Sequence, residues 1–147
     1  AGELVKGHAI VAAELGLARY QGKAVRDERL FDGAWAKPRR AEHLLVRLAL
    51  TGELWRRAGA GHVTLYRAAA TDGVLEPGRR GAFVSATFSR DVAEEHFAGG
   101  PTTRAAVIVR DRIAVERLLM TFWETPAMNA HYQEAEAIVL GFPEIAF

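Results

Sequence analysis

The hydrophobic pattern of this chain changes period at Gly61, from helical spacing before it to mainly strand alternation after it. That switch restricts the fold more than any other feature, because a face that recurs every 3.6 residues cannot serve a sheet, and one that alternates cannot serve a helix. Residues 3–17 predict a helix, with Leu4, Ile10, Val11 and Leu15 on its apolar side and Gly16 and Gly22 marking its end. The stretch 21–37 carries charges, Phe31 and Trp35 without a period and is expected to be a loop or short irregular helix. Pro38 suits a first helical position, and Ala41, Leu44, Leu45, Leu48 and Trp55 continue a second helix that Gly52 is expected to divide.

Beyond Gly61, residues 62–69 alternate, with Val63, Leu65 and Arg67 on one face and Thr64 and Tyr66 on the other. A turn is expected around Glu76, Pro77, Gly78 and Gly81, followed by a strand over 82–88 in which Phe83, Ser85 and Thr87 share a face. Ser89 is an N-cap candidate for a short helix over 90–97, with Asp91 in its first turn. Further strands are expected at 104–110, buried, and at 118–123, joined by a linker over 111–117. A loop follows over 124–133, then an alternating strand over 134–140 with Glu134, Glu136, Ile138 and Leu140 on one face, and a short strand at 144–147. The expected class is α+β: one domain over 1–147, with a small helical lobe at about 1–60 and a mainly β core at 61–147.

The 147 residues are enough for a hydrophobic core of one domain, and 50% hydrophobic with 25% charged residues is the composition of an ordinary globular chain. No apolar run approaches the roughly 18 to 20 residues that cross a bilayer, so no membrane partner is expected. The absence of cysteine excludes disulfides, thiolate catalysis and sulfur-ligated zinc, and leaves the compartment open. The five histidines have no ligand spacing, so no metal is expected, and Gly78-Arg79-Arg80-Gly81 lacks the spacing of a phosphate loop. Residues 1–60 carry 11 Lys+Arg against 7 Asp+Glu, and 61–147 carry 8 against 11, so a small positive surplus sits in front. Arg39, Arg40, Arg56 and Arg57 could face nucleic acid, although such charges more often form a solvated helix surface. The start at Ala1, without an initiator Met or a leader, reads as a trimmed domain or mature piece of a longer protein.

Three features carry chemistry. Arg67 shares a strand face with apolar residues, where a charge needs a partner. Ser85, Thr87 and Ser89 place hydroxyls along one side of the next strand. In Glu134-Ala135-Glu136 two carboxylates project the same way at the border of the core, an arrangement that costs stability and is often kept for catalysis.

Together these residues resemble the mono-ADP-ribosyltransferase toxin and effector family, the class with an Arg, a Ser-Thr-Ser strand and a Glu-x-Glu. Leu65-Tyr66-Arg67-Ala68 is similar to that family's Tyr-Arg-Gly strand, Phe83 to Ser89 to its Ser-Thr-Ser strand, and Glu134 to Leu140 to its Glu-x-Glu strand. The order and gaps hold from about Ala41 to Leu140. Ala68 replaces the family's Gly, Ala86 its Thr and Thr87 its last Ser.

The resemblance implies a split, NAD-binding β-sandwich with NAD as co-substrate. It implies that Arg67 holds an NAD phosphate, that the backbone at Ala68 holds the nicotinamide amide, and that Ser85 positions Glu136. Glu136 would grip the nicotinamide ribose and stabilise positive charge as the glycosidic bond breaks. Glu134 would orient or deprotonate the acceptor. Thr87 keeps one motif hydroxyl, and Phe97 could stack on nicotinamide, although a helical Phe is more often core. The expected acceptor is a macromolecule, a protein arginine ahead of nucleic acid, and an immunity protein is a possible partner. NAD glycohydrolysis is a sibling alternative, and a protein- or RNA-binding module without turnover is an alternative of another class. The resemblance leaves location open, with secretion or delivery into a target cell as part of a larger protein among the options.

Overall fold

The computed structural model describes residues 2–20, 22, 28–73, 76–80, 82–96 and 103–146. It is a mixed α+β structure. Helices α1 (Gly2–Glu14) and α2 (Lys37–Arg57) come first, with 3-10 turns at Glu28–Phe31 and Gly33–Trp35 between them. Then follow strands β1 (His62–Thr71), β2 (Glu76–Arg80) and β3 (Val84–Thr87), and helix α3 (Arg90–Glu95). Strands β4 (Ala105–Ala114), β5 (Leu118–Thr121), β6 (Glu136–Val139) and β7 (Pro143–Ala146) complete the chain. Five strands form an antiparallel sheet in the order β4-β1-β3-β6-β5, and β2 pairs with β7 in a separate antiparallel ribbon.

Several expected boundaries move. α1 stops at Glu14, with Gly16 just beyond in the left-handed conformation (φ 73°) that glycine tolerates best. Gly52 does not divide α2: it is buried in an unbroken helix beside the turn Val115–Arg117, where a Cβ would stand 3.4 Å from the carbonyl oxygen of Val115, an ordinary contact. The segment expected to turn at Glu76 is strand β2, because its backbone finds a partner 63 to 70 residues away in β7, information no local pattern contains. β4 runs to Ala114, four residues into the expected linker. It is an edge strand rather than a strand buried on both faces, and only Ile113 in it is fully covered.

Both faces of the central sheet are occupied. On one, Leu65, Val84, Ala86, Ile113, Leu118, Ala137, Val139 and Phe142 form a closed apolar core, against which Trp55 of α2 stacks with Phe88 at 5.3 Å. On the other, Val11, Ala12, Leu44 and Leu48 of the two helices pack on Leu119 and Leu140, with Phe83 and Ile138 beneath them. Burial of this kind is worth roughly 1.5–3 kcal/mol per large side chain.

Arg40 anchors the helical layer. It is 1% exposed, with its guanidinium over the rings of Trp35 and Phe31 and bonded to the carbonyls of Trp35 and Leu30 and to His8 Nδ1. Burial lowers its pKa. Arg56 and Arg57 pair with Glu53, and Arg56 also with Glu116. Three of the four arginines singled out for a nucleic-acid face therefore have partners within the protein. Among the described residues no helix is long and apolar enough to cross a membrane.

Candidate active site

The site lies where two strands part. β1 pairs with β4 at ten positions, from His62 to Thr71, but its pairing with β3 is confined to Tyr66 and Thr87. Past that point the ladder stops, and a cleft of about 290 Å³ opens between β1, β3, the start of β6 and α3. Strand alternation starts the Arg67 side chain on the face of Val63 and Leu65, yet it lines the cleft with Ser85 and Glu136. The parting of the strands explains this, since it lets the guanidinium cross between them. Its NH1 donates to the Ser85 carbonyl at 2.6 Å, satisfying an acceptor beside the point where the ladder ends. A guanidinium has five N–H donors, so others remain for the cleft.

Across β3 and β6 the register sets the geometry of the site. Thr87 stands opposite Glu136 and Ser85 opposite Ile138, so Ser85 and Glu136 are diagonal neighbours on one face. Ser85 Oγ donates to Glu136 Oε1 at 2.5 Å, a short charge-assisted bond that fixes the carboxylate. Farther along this face Phe83 and Ile138 are covered by the helical layer, whereas Ser85 is exposed and Glu136 half-buried at the cleft. Ala86, between the two hydroxyl residues, is 5% exposed, belongs to the apolar core and also borders the cleft.

Glu134 reaches the cleft by a different route from the expected one. β6 begins only at Glu136, and Gln133 and Ala135 both have positive φ (53° and 47°), so Glu134 is not part of a regular alternating strand. The left-handed conformation is unfavourable for residues with a Cβ, and hydrogen bonds hold it in place. Thr87 Oγ1 donates to the Glu134 carbonyl at 2.6 Å, Phe88 N to the Ala135 carbonyl at 3.0 Å, and Ala135 N to Asn129 Oδ1 at 2.7 Å. The Thr87 hydroxyl also accepts from Ser89 N, so it latches the Glu134 backbone rather than standing free for a ligand. Ser89 in turn caps α3, accepting from Val92 N at 3.2 Å.

The start of the 122–135 segment is tied by a second network. Glu124, its side chain 6% exposed, accepts from Thr121 N and Thr121 Oγ1 and pairs with Arg47 of α2 at 3.2 Å. Trp55 Nε1 donates to Thr121 Oγ1.

The cleft thus brings together Arg67, Ala68, Ser85, Thr87, Glu134 and Glu136. Phe97, also considered from the sequence, lies outside the described residues. The sequence reading missed Tyr66, Val92, Ala93 and His96, which line the same cleft. Alternation put Tyr66 on the face opposite Arg67, and only the parting of β1 and β3 brings both to the cleft. His96 offered only its place at the end of the short capped helix. It stands with Nε2 3.4 Å from Glu134 Oε1.

Chemically, the arrangement offers a cation, an oriented carboxylate and a second carboxylate on a constrained loop, around a space of small-molecule size. Comparison with protein-family models, curated proteins and solved structures finds no significant match to this chain.

Proposed function

We propose that this protein is a mono-ADP-ribosyltransferase, which cleaves NAD at the nicotinamide bond and passes ADP-ribose to a macromolecular acceptor, and that its two sheets form the split NAD-binding core of that class. The observation that carries the reading is the convergence of Arg67, the Ser85–Glu136 pair and Glu134 on one cleft at the parting of β1 and β3. The residues fit the substrate. Arg67 supplies charge-assisted donors for a phosphate, and the cleft volume suits the nicotinamide–ribose half of the dinucleotide.

On this reading Glu136, oriented by Ser85, holds a ribose hydroxyl and places negative charge beside the anomeric carbon as its bond to nicotinamide lengthens. Fixed charge at a developing oxocarbenium centre is among the largest contributions a site can make. Glu134 faces the acceptor and orients it or removes its proton. Pairing of Arg40, Arg56 and Arg57 within the protein favours a protein acceptor over nucleic acid.

The test is incubation with labelled NAD and a cell extract, followed by separate protease and nuclease digestion. Transfer to protein, loss of nicotinamide release in Glu136→Ala, and a larger loss of transfer than of release in Glu134→Ala are the expected results. Free ADP-ribose without any labelled macromolecule identifies a glycohydrolase. No NAD consumption refutes the enzyme reading and leaves a binding module.

A further inference from the structure

His96 closes α3, the helix that follows the hydroxyl-bearing strand, and the geometry of its two ring nitrogens restricts its chemistry. Nδ1 lies 2.8 Å from the carbonyl oxygen of Val92, one turn back. A carbonyl only accepts, so Nδ1 carries a proton, and in the neutral ring Nε2 is left with its lone pair. That lone pair lies 3.4 Å from Glu134 Oε1, itself an acceptor when ionised. Two acceptors facing each other at this distance are stable only with a proton or a donor between them. Both groups remain open to the cleft, with side chains 57% and 35% exposed. Glu134 cannot easily withdraw, because its carbonyl is bonded to Thr87 and its two neighbours are in the left-handed conformation.

We propose that His96 and Glu134 form a two-acceptor fork for the incoming nucleophile, and that His96 Nε2 receives its proton during transfer. The inference rests on the transferase reading above and extends it to a residue which that reading does not use. The fork selects a nucleophile rich in N–H donors, with a guanidinium as the best fit, since one N–H can reach Glu134 while another reaches His96. In the step, the acceptor nitrogen forms a bond to the anomeric carbon of the nicotinamide ribose. The bond from that carbon to the nicotinamide nitrogen breaks, its electron pair leaving with neutral nicotinamide. The acceptor's proton passes to Nε2, and the resulting imidazolium is stabilised by the Glu134 carboxylate.

The charged groups facing His96 support this assignment. β6 and its approach contribute Glu134 and Glu136, β1 contributes Arg67 and the Tyr66 phenol, and β3 contributes only the uncharged Ser85 and Thr87. On α3 itself Glu94 is paired with Arg90, and Asp91 and Glu95 are exposed. Glu134 is the one of these groups in ion-pair range of the ring.

The experiment measures two rates with purified protein: nicotinamide release from NAD alone, and transfer to agmatine, a small free guanidine. Wild type is compared with His96→Ala and His96→Gln, both checked for a native melt. The expected result is a ratio of transfer to release at least about tenfold lower in both variants, in the range of general-base effects. Added imidazole should restore transfer in His96→Ala, and the acid limb of the transfer–pH profile, present in wild type, should flatten in His96→Gln. An unchanged ratio, or a lowered ratio that imidazole does not raise, overturns the proposal. Absence of nicotinamide release from wild type is a separate outcome, because it removes the underlying transferase reading itself.

Discussion

Ser85 and Glu136 are 51 residues apart in the chain and 2.5 Å apart between hydroxyl and carboxylate oxygens. The bond exists because β3 and β6 are antiparallel partners with Thr87 opposite Glu136, which makes Ser85 the diagonal neighbour of the carboxylate. Ser85→Ala keeps the strand but releases Glu136 to rotate. Nicotinamide release should fall on the order of 100-fold, with stability changed by less than about 1 kcal/mol because the hydroxyl is exposed. Steady-state release and a thermal melt measured together check both halves.

Thr87→Val removes the latch on Glu134 without altering shape or strand propensity. It leaves the Glu134 carbonyl and Ser89 N without their bonds to Oγ1, at a cost of about 1–3 kcal/mol. On the proposed transferase reading the ratio of ADP-ribose transfer to nicotinamide release should drop, since the carboxylate that moves is the one that reading assigns to the acceptor side. Equal loss of both rates would show that Thr87 supports the whole cleft and not Glu134 in particular.

The Arg47–Glu124 pair bridges α2 and the loop after β5, with side chains 19% and 6% exposed. Glu124→Ala leaves the Arg47 guanidinium, whose Nε already has no partner, with its bond to Thr125 Oγ1 but no carboxylate, and should lower unfolding free energy by about 3 kcal/mol. The double change Arg47→Met with Glu124→Leu should recover only part of that loss, because two apolar groups need no compensation for desolvation while the buried Thr121 N still lacks the acceptor that Glu124 supplied. Denaturant unfolding of the three proteins tests this.

Gly7 lies where α1 crosses the Arg40 side chain. A Cβ there would come within 2.7 Å of the guanidinium carbon, and Arg40 cannot swing aside without losing its bonds to Trp35 and Leu30. Gly7→Ala should therefore destabilise by about 1–3 kcal/mol even though alanine is the better helix former. A gain in melting temperature would mean that the lobe repacks freely.

On the exposed face of α2, the Arg57 side chain holds the Glu53 carboxyl below its ordinary range, first through its hydrogen bond and then through its charge. The folded value is lowered, so the contribution is present above the unfolded carboxylate range and is lost as pH falls through the folded value. Arg57→Gln should raise the Glu53 titration midpoint seen by carboxyl NMR. The small stability difference between variant and wild type should vanish in acid.

The change of period at Gly61 was sufficient to place α2, β1, β3 and β5 within a few residues, because each has a face pattern that its own segment carries. The capped start of α3 was equally legible, since Ser89 and Val92 are three residues apart and their bond is local. β2 was misread because its pairing with β7 is decided by distant backbone, and the extension of β4 to Ala114 because His62 and its neighbours provide the ladder from β1. Glu134 and Glu136 were both singled out by alternation, yet alternation is not what brings Glu134 to the cleft. Two left-handed residues and a threonine latch do so. His96 carried no signal beyond its place at the end of α3, since its contact is with a carboxylate 38 positions later.

Residue order alone determined which chemical groups this protein has to work with, and that its two longer helices precede a mainly β segment, because composition and local periodicity are properties of short segments. Tertiary structure decided where β1 and β3 separate, which nitrogen of His96 faces Glu134, and that Arg67 turns towards Ser85. Those outcomes depend on register and on packing between segments tens of residues apart, where the energy of a contact is absent from either segment taken singly.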